Sequence, residues 1–389
     1  MKILVSPNAF KGTMTASEVA DAIERGLLAV NPKLEIIKAP IADGGDGSLA
    51  TVIDIYNGYS TSTLVHGPLN DKVLARWAII NEGKTVFIET ALIYGLALLK
   101  KEQYNPYFTS SRGIGELIVH ALNEGYRDFL VGVGGSANND AGTGMLKALG
   151  YRFLDAKGKD IEDGGENLKH LDKIDMENVD PRLKDCSFRF LSDSTVPLVG
   201  ENGLSLMYSP GKGATESMAR ALDNRMRHYL SIFERTFGFS YGERSGTGSG
   251  GGVTSAGEYY LNATVEYGSD YFLKSLDMTS KVEIADIVIT GEGMIDKQTI
   301  FNKAPIAIAR LAKSINGQDS KVISINAIIG HGYNEVYKNG IDYIISSKKS
   351  NNNKKILLPN DIEDLTSFFW LDVMENDGFK NFPEVKIYD

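Results

Sequence analysis

Apolar and polar positions follow one pattern at the two ends of the chain and another in the middle. The run KILVS at residues 2–6 is apolar and closed by Pro7-Asn8, which predicts a short buried strand. Thr15-Ala-Ser-Glu18 has the spacing of a capping box and opens a predicted helix with Val19, Ile23 and Leu27 on one face, ended by Asn31-Pro32. EIIKAPIA then predicts a strand, DGGDGS a loop, and the residues after it a second helix. Near the other end ADIVIT, KVISIN and DYIIS read as strands, separated by helical stretches such as APIAIARLAKS. Between the ends, TSTLVHG, VLARWAII and TVFIE are closely spaced strands, Asn81-Glu82-Gly83-Lys84 is a hairpin turn, and 214–236 is a long helix.

Strand–helix alternation at both ends predicts one parallel sheet shared by the two termini. The expected architecture is α/β with two domains. Residues 1–67 and 276–389 form a discontinuous Rossmann-like or flavodoxin-like domain, and 68–275 form an inserted mixed α/β domain. The polar stretch KKSNNNKK at 348–355 reads as a flexible surface loop.

Composition narrows the function. A length of 389 residues exceeds one ordinary core, and 42% apolar with 23% charged residues is normal for a globular protein. A net charge of −9 argues against general nucleic-acid or anionic-membrane binding, since both need a cationic surface. With one cysteine, Cys186, the chain can form neither an internal disulfide nor a thiolate zinc cluster, which fits a reducing compartment. No apolar run approaches the ~20 residues that span a bilayer, and the N-terminus is too polar for a signal peptide. The expectation is a cytoplasmic enzyme, monomer or homodimer, acting on small molecules.

The most distinctive stretch is GVGGSANNDAGTG, residues 132–144, with five glycines around a Ser-Ala-Asn-Asn-Asp cluster between the strand-like FLVGV and the helix-like MLKAL. Three readings compete. Glycine-rich strand-to-helix turns can serve packing alone. Gly132, Gly134 and Ala137 also match the dinucleotide spacing G-x-G-x-x-A, with Asp155 about 20 residues on. The third reading is a phosphate or polyol site in which Ser136, Asn138, Asn139 and Asp140 make directed hydrogen bonds beside backbone amides of Gly134 and Gly135.

Other loops gather the groups phosphoryl transfer needs. Asn8 and Lys11 follow the first strand, where the carboxyl ends of parallel strands form a ligand crevice. Asp43 and Asp46 sit in a glycine-rich turn at a helix start, where paired acids can hold magnesium, take a hydroxyl proton or cap the helix. Ser192-Asp193 and Thr290-Gly-Glu292-Gly-Met-Ile-Asp296 add acids at two more strand ends. Lys212 and Lys303 supply cations near predicted helix starts, and GTGSGGG at 246–252 is a backbone cradle or a hinge.

PNAFKG, ADGGDGS, TSSRGIGELI, GVGGSANNDAGTGMLKALGYRFLDAKG, PLVGENG with PGKGA, and TGEGMIDKQTIFNKAPIAIARLAK together make the chain resemble the bacterial type I glycerate kinases over most of its first 313 residues. The resemblance implies ATP-dependent phosphorylation of D-glycerate, usually at the 2-hydroxyl, with Mg2+ required. In this reading Asp193 first and Asp43 second are candidates to deprotonate the acceptor, and Lys11 neutralises charge. Asn8, Gly134, Gly135, Ser136, Asn138, Asp140, Lys212, Gln298 and Lys303 bind substrate or nucleotide, and Glu292 or Asp296 assists the metal. The chain also departs from the family. Val196 stands where Asn is common, Met294 where Arg is common, Asp46 where Glu is usual and Arg112 where an uncharged residue is usual. The region after Lys313 matches poorly. Losing an arginine from an anion site removes a bidentate partner, with Arg112 the candidate replacement. A related hydroxy acid as acceptor, or a non-catalytic nucleotide-binding role, therefore stays open beside the leading reading.

Overall fold

The computed structural model describes all residues except Lys11, 348–356, Asp377, Asn381, Asp389 and the side chain of Gln318. Lys11 and the 348–355 stretch thus lie outside the described residues. The chain divides into two compact units, one of residues 1–43, 50–55 and 267–389, the other of 44–49 and 56–266.

The first unit holds a six-stranded, wholly parallel sheet built from both ends of the chain. Its strands are β1 (Lys2–Pro7), β2 (Glu35–Lys38), β11 (Ile287–Ile295), β12 (Lys321–Ile329), β13 (Tyr343–Ser347) and β14 (Val385–Tyr388), in the order β14-β13-β12-β11-β1-β2. β2 stops earlier than the sequence pattern predicts. Pro40 has no N–H to donate, although Ala39 N and Ile41 N still bond Val5 O and Pro7 O at 2.9 and 3.0 Å. The helix Ala16–Val30 begins as expected. Thr15 accepts from Glu18 N and donates its own N–H to the Glu18 carboxylate, and Val19, Ile23 and Leu27 are fully buried, each contributing roughly 1.5–3 kcal/mol of burial free energy.

The second unit holds a mixed sheet of β3 (Tyr59–His66), β4 (Lys72–Ile80), β5 (Thr85–Glu89), β6 (Asp128–Gly132), β9 (Ser187–Leu191) and β10 (Thr264–Glu266), in the order β10-β9-β6-β5-β4-β3. β3, β4 and β5 are antiparallel neighbours, and β5, β6, β9 and β10 run parallel. A two-stranded ribbon of β7 (Arg152–Leu154) and β8 (Lys173–Asp175) completes it. β3 pairs along its whole length with β4, so a domain boundary at 67/68 would cut a continuous hairpin; the division falls before β3. The helix expected at 214–236 runs Glu216–Phe237, capped by Thr215, with Gly238 at φ +82° closing it.

Among the described residues no helix is long and apolar enough to cross a membrane.

Candidate functional site

In the first unit, chemistry collects where β1, β11 and β12 end. β11 does not stop at Thr290. It continues through Glu292, paired with Asn326 of β12, so Glu292 is a strand residue and not, as its spacing predicts, a loop residue. That position buries its carboxylate, leaving it 7% exposed. Thr299 Oγ1 donates to Glu292 Oε1 at 2.6 Å and Lys303 Nζ to Oε2 at 3.3 Å. Burial pushes the Glu292 carboxyl above the usual range against the pull of Lys303, and the charge of nearby Asp43 pushes the same way. Asp43 is itself buried and accepts from Asn8 Nδ2 at 3.0 Å. Asn8, Asp43, Glu292 and Lys303 thus meet at one sheet edge, as a ligand crevice requires.

Asp296, the other residue expected to assist the metal, is placed as a cap. Its Oδ1 accepts from Gln298 N at 2.7 Å, capping the short turn Lys297–Ile300, and that turn leaves Gln298 exposed. Met294 is 43% exposed on β11.

In the second unit, the carboxyl ends of β5, β6 and β9 lie side by side, with Glu89, Gly132 and Leu191 in register. Half-buried Asp193 follows β9. The 132–144 loop follows β6 and runs to Gly142 before the helix Thr143–Ala148 begins. A dinucleotide turn needs its helix at once, so that reading fails. Asp140 is fully buried, and it accepts from Ser111 N, Ser111 Oγ, Asn138 Nδ2, Gly142 N and Gly144 N at 2.6–3.3 Å. Burial raises its carboxyl's affinity for a proton, opposed by the donors from Ser111, Asn138 and Gly142. Asp140 and the equally buried Asn138 thus hold the loop together from within.

The glycines of this loop accommodate protein. A Cβ on Gly135 would lie 2.2 Å from Asp46 Oδ1, and one on Gly251 2.3 Å from Asn138 Oδ1. Residues 44–47 and 249–252 therefore pack onto the 132–144 loop, and the GTGSGGG stretch is a packed segment of a defined fold. Gly134 N is engaged with Thr90 Oγ1 at 3.3 Å and Ala137 N with Tyr94 O at 2.9 Å, so part of the loop's backbone is bonded from within. What the loop offers outward is the Gly135-Ser136 turn. Behind it Lys212 Nζ donates to Ser136 Oγ at 3.1 Å and Asn138 O at 2.7 Å. Burial drives the Lys212 ammonium pKa down to about 7, with the Asp140 charge opposing.

Arg112, the candidate replacement for a missing arginine, is engaged in ion pairs of its own. Its Nε bonds Glu116 at 3.2 Å and its guanidinium lies 3.6 Å from Asp163. The sequence pattern also misses Glu89, a buried acid closing the apolar strand TVFIE; an acid at the end of such a run is the signal that could have found it.

Among the described residues, no group of three or more His, Cys, Asp or Glu side chains is arranged as a metal cage. Mg2+ bound with nucleotide keeps several waters and phosphate oxygens and needs one or two carboxylates, a number that Asp43 and Glu292, within electrostatic reach of each other, can provide.

The glycerate kinase family model matches residues 3–368. The chain is 40% identical over 346 residues to the glycerate 2-kinase of Escherichia coli (strain K12), and equally so to the glycerate kinase of Bacillus subtilis (strain 168), covering 89% of this chain and 90% of each relative. A crystal structure of a protein assigned as glycerate kinase 2 from Salmonella typhimurium LT2 superposes with a TM-score of 0.79 at 32% identity, covering 97% of this chain and 99% of that one. The fold, the acids at the parallel-strand ends and these near-full-length matches place the chain in the glycerate kinase family of ATP-dependent kinases acting on a hydroxyl group.

Proposed function

We propose that the protein transfers the γ-phosphoryl group of ATP to the 2-hydroxyl of D-glycerate, giving 2-phosphoglycerate, in the cytoplasm. The observation that carries this reading is the match to a glycerate 2-kinase at 40% identity over 346 residues. In-line transfer asks little covalent chemistry of a protein, so positioning and charge neutralisation dominate. Asp193 orients the acceptor hydroxyl and takes its proton, with Asp43 as the second candidate. Lys303 and Lys11 neutralise phosphate or substrate carboxylate, while Asn8, Gln298, Ser136 and the Gly134-Gly135 turn supply polar contacts. Lys212 holds Ser136 in place. Mg2+, when bound, neutralises charge on the phosphate oxygens, and Glu292 and Asp43 are the residues that would hold it.

Met294, where an arginine is common, favours a second acceptor of the same chemistry, a related small hydroxy acid. The test follows ADP release with ATP, Mg2+ and a panel of hydroxy acids. Turnover greatest with D-glycerate supports the assignment. Preference for another acceptor contradicts the substrate, and ADP release with none contradicts the kinase reading.

A further inference from the structure

We propose that Glu89 is a positioning residue for phosphoryl transfer, acting by clamping the segment that carries the acids of the DGGDGS turn; the inference rests on the kinase reading above. Glu89 closes β5 and is 3% exposed. Its Oε1 accepts from Gly47 N at 2.8 Å and its Oε2 from Leu49 N at 2.7 Å. Those amides open the helix Ser48–Tyr56, whose first turn contains no acidic residue of its own. A helix start leaves such N–H groups without intrahelical partners and carries positive partial charge, so a carboxylate brought from another strand satisfies both demands.

The clamp decides where the turn lies. With Gly47 and Leu49 fixed, the Gly44 carbonyl packs so closely on Gly132 that a Cβ there would sit 2.3 Å away, and the Asp46 carboxylate presses on Gly135. Asp46 Oδ1 is buried there without a hydrogen-bond partner. Asp43 precedes Gly44 directly in the chain. Two acceptor oxygens are essential: glutamine would keep one and turn an NH2 toward the other N–H, and aspartate is one methylene short of spanning both.

The experiment compares Glu89→Gln with Ile88→Val, a neighbouring core substitution that lowers the melting temperature without touching the clamp. The expected result for Glu89→Gln is a kcat about 10–100-fold lower with KM for both substrates within about threefold, since a small misplacement of reacting groups costs rate more than binding. Ile88→Val should keep wild-type kcat. Hydrogen exchange of the peptide covering 44–49 should quicken in Glu89→Gln, and Glu89→Asp should fall between. A Glu89→Gln kcat equal to that of Ile88→Val, or unchanged exchange at 44–49, overturns the proposal. A wild-type protein silent toward every acceptor would instead overturn the kinase reading, and the exchange result would still decide whether the clamp exists.

Discussion

Asp140 in the second unit and Glu292 in the first are both buried carboxylates, and burial raises the proton affinity of both, yet their surroundings differ in kind. Asp140 is ringed by five neutral donors, three of them backbone amides, drawn from both sides of the loop it organises. Glu292 has one hydroxyl and one ammonium as hydrogen-bond partners and a second carboxylate within electrostatic reach. A carboxylate whose lone pairs are filled by backbone amides is committed to the fold, because any movement exposes unsatisfied buried donors. One held by a long, half-exposed lysine opposite another acid is poised to exchange that partner for a ligand. Acids in glycine-rich turns look alike in sequence; their donors tell them apart.

Substitutions can break this comparison, starting with the largest effect. Asp193→Asn should lower kcat about 10²–10⁴-fold, the usual weight of a general base, and Asp43→Asn should lower kcat less, while melting stays near wild type in both. If both retained wild-type turnover, the base would lie elsewhere. Asp140→Ala should instead cost about 3–5 kcal/mol in urea unfolding, by stranding buried donors. A stable Asp140→Ala protein that lacks only activity would make Asp140 a chemical residue after all.

Much of this was legible in the sequence because it is local. The capping box at Thr15, the hairpin turn at Asn81–Lys84 and the shared parallel sheet follow from short-range pattern. The site was only partly legible, since its decisive contacts are long-range. Nothing local shows that Gly135 faces Asp46, that Gly251 faces Asn138, or that Glu89 meets amides about 40 residues away. The extension of β11 past Thr290 likewise depends on pairing with β12.

Lys212 sharpens the comparison through pH. Its folded pKa is about 7 against an ordinary 10.5, so between those values the unfolded chain binds a proton that the native state does not. Stability from this group is therefore present above pH 10.5 and lost as pH falls through about 7. Urea unfolding between about pH 6.5 and 9.5 should show stability rising with pH, and Lys212→Met should flatten that rise. An unchanged slope would mean that Lys212 is not the group responsible. The smallest effect belongs to Asp296→Ala, which should cost about 1 kcal/mol as a lost cap and leave the Mg2+ dependence of turnover unchanged. A large rise in the Mg2+ concentration needed would restore Asp296 as a metal ligand.

The most direct test of the central claim is a proton-coupled 31P NMR spectrum of the product formed from ATP, Mg2+ and D-glycerate. A new phosphomonoester signal split by the single proton on C2 is the result expected for transfer to the 2-hydroxyl. A signal split by the two protons on C3, or no phosphoglycerate signal at all, would contradict it.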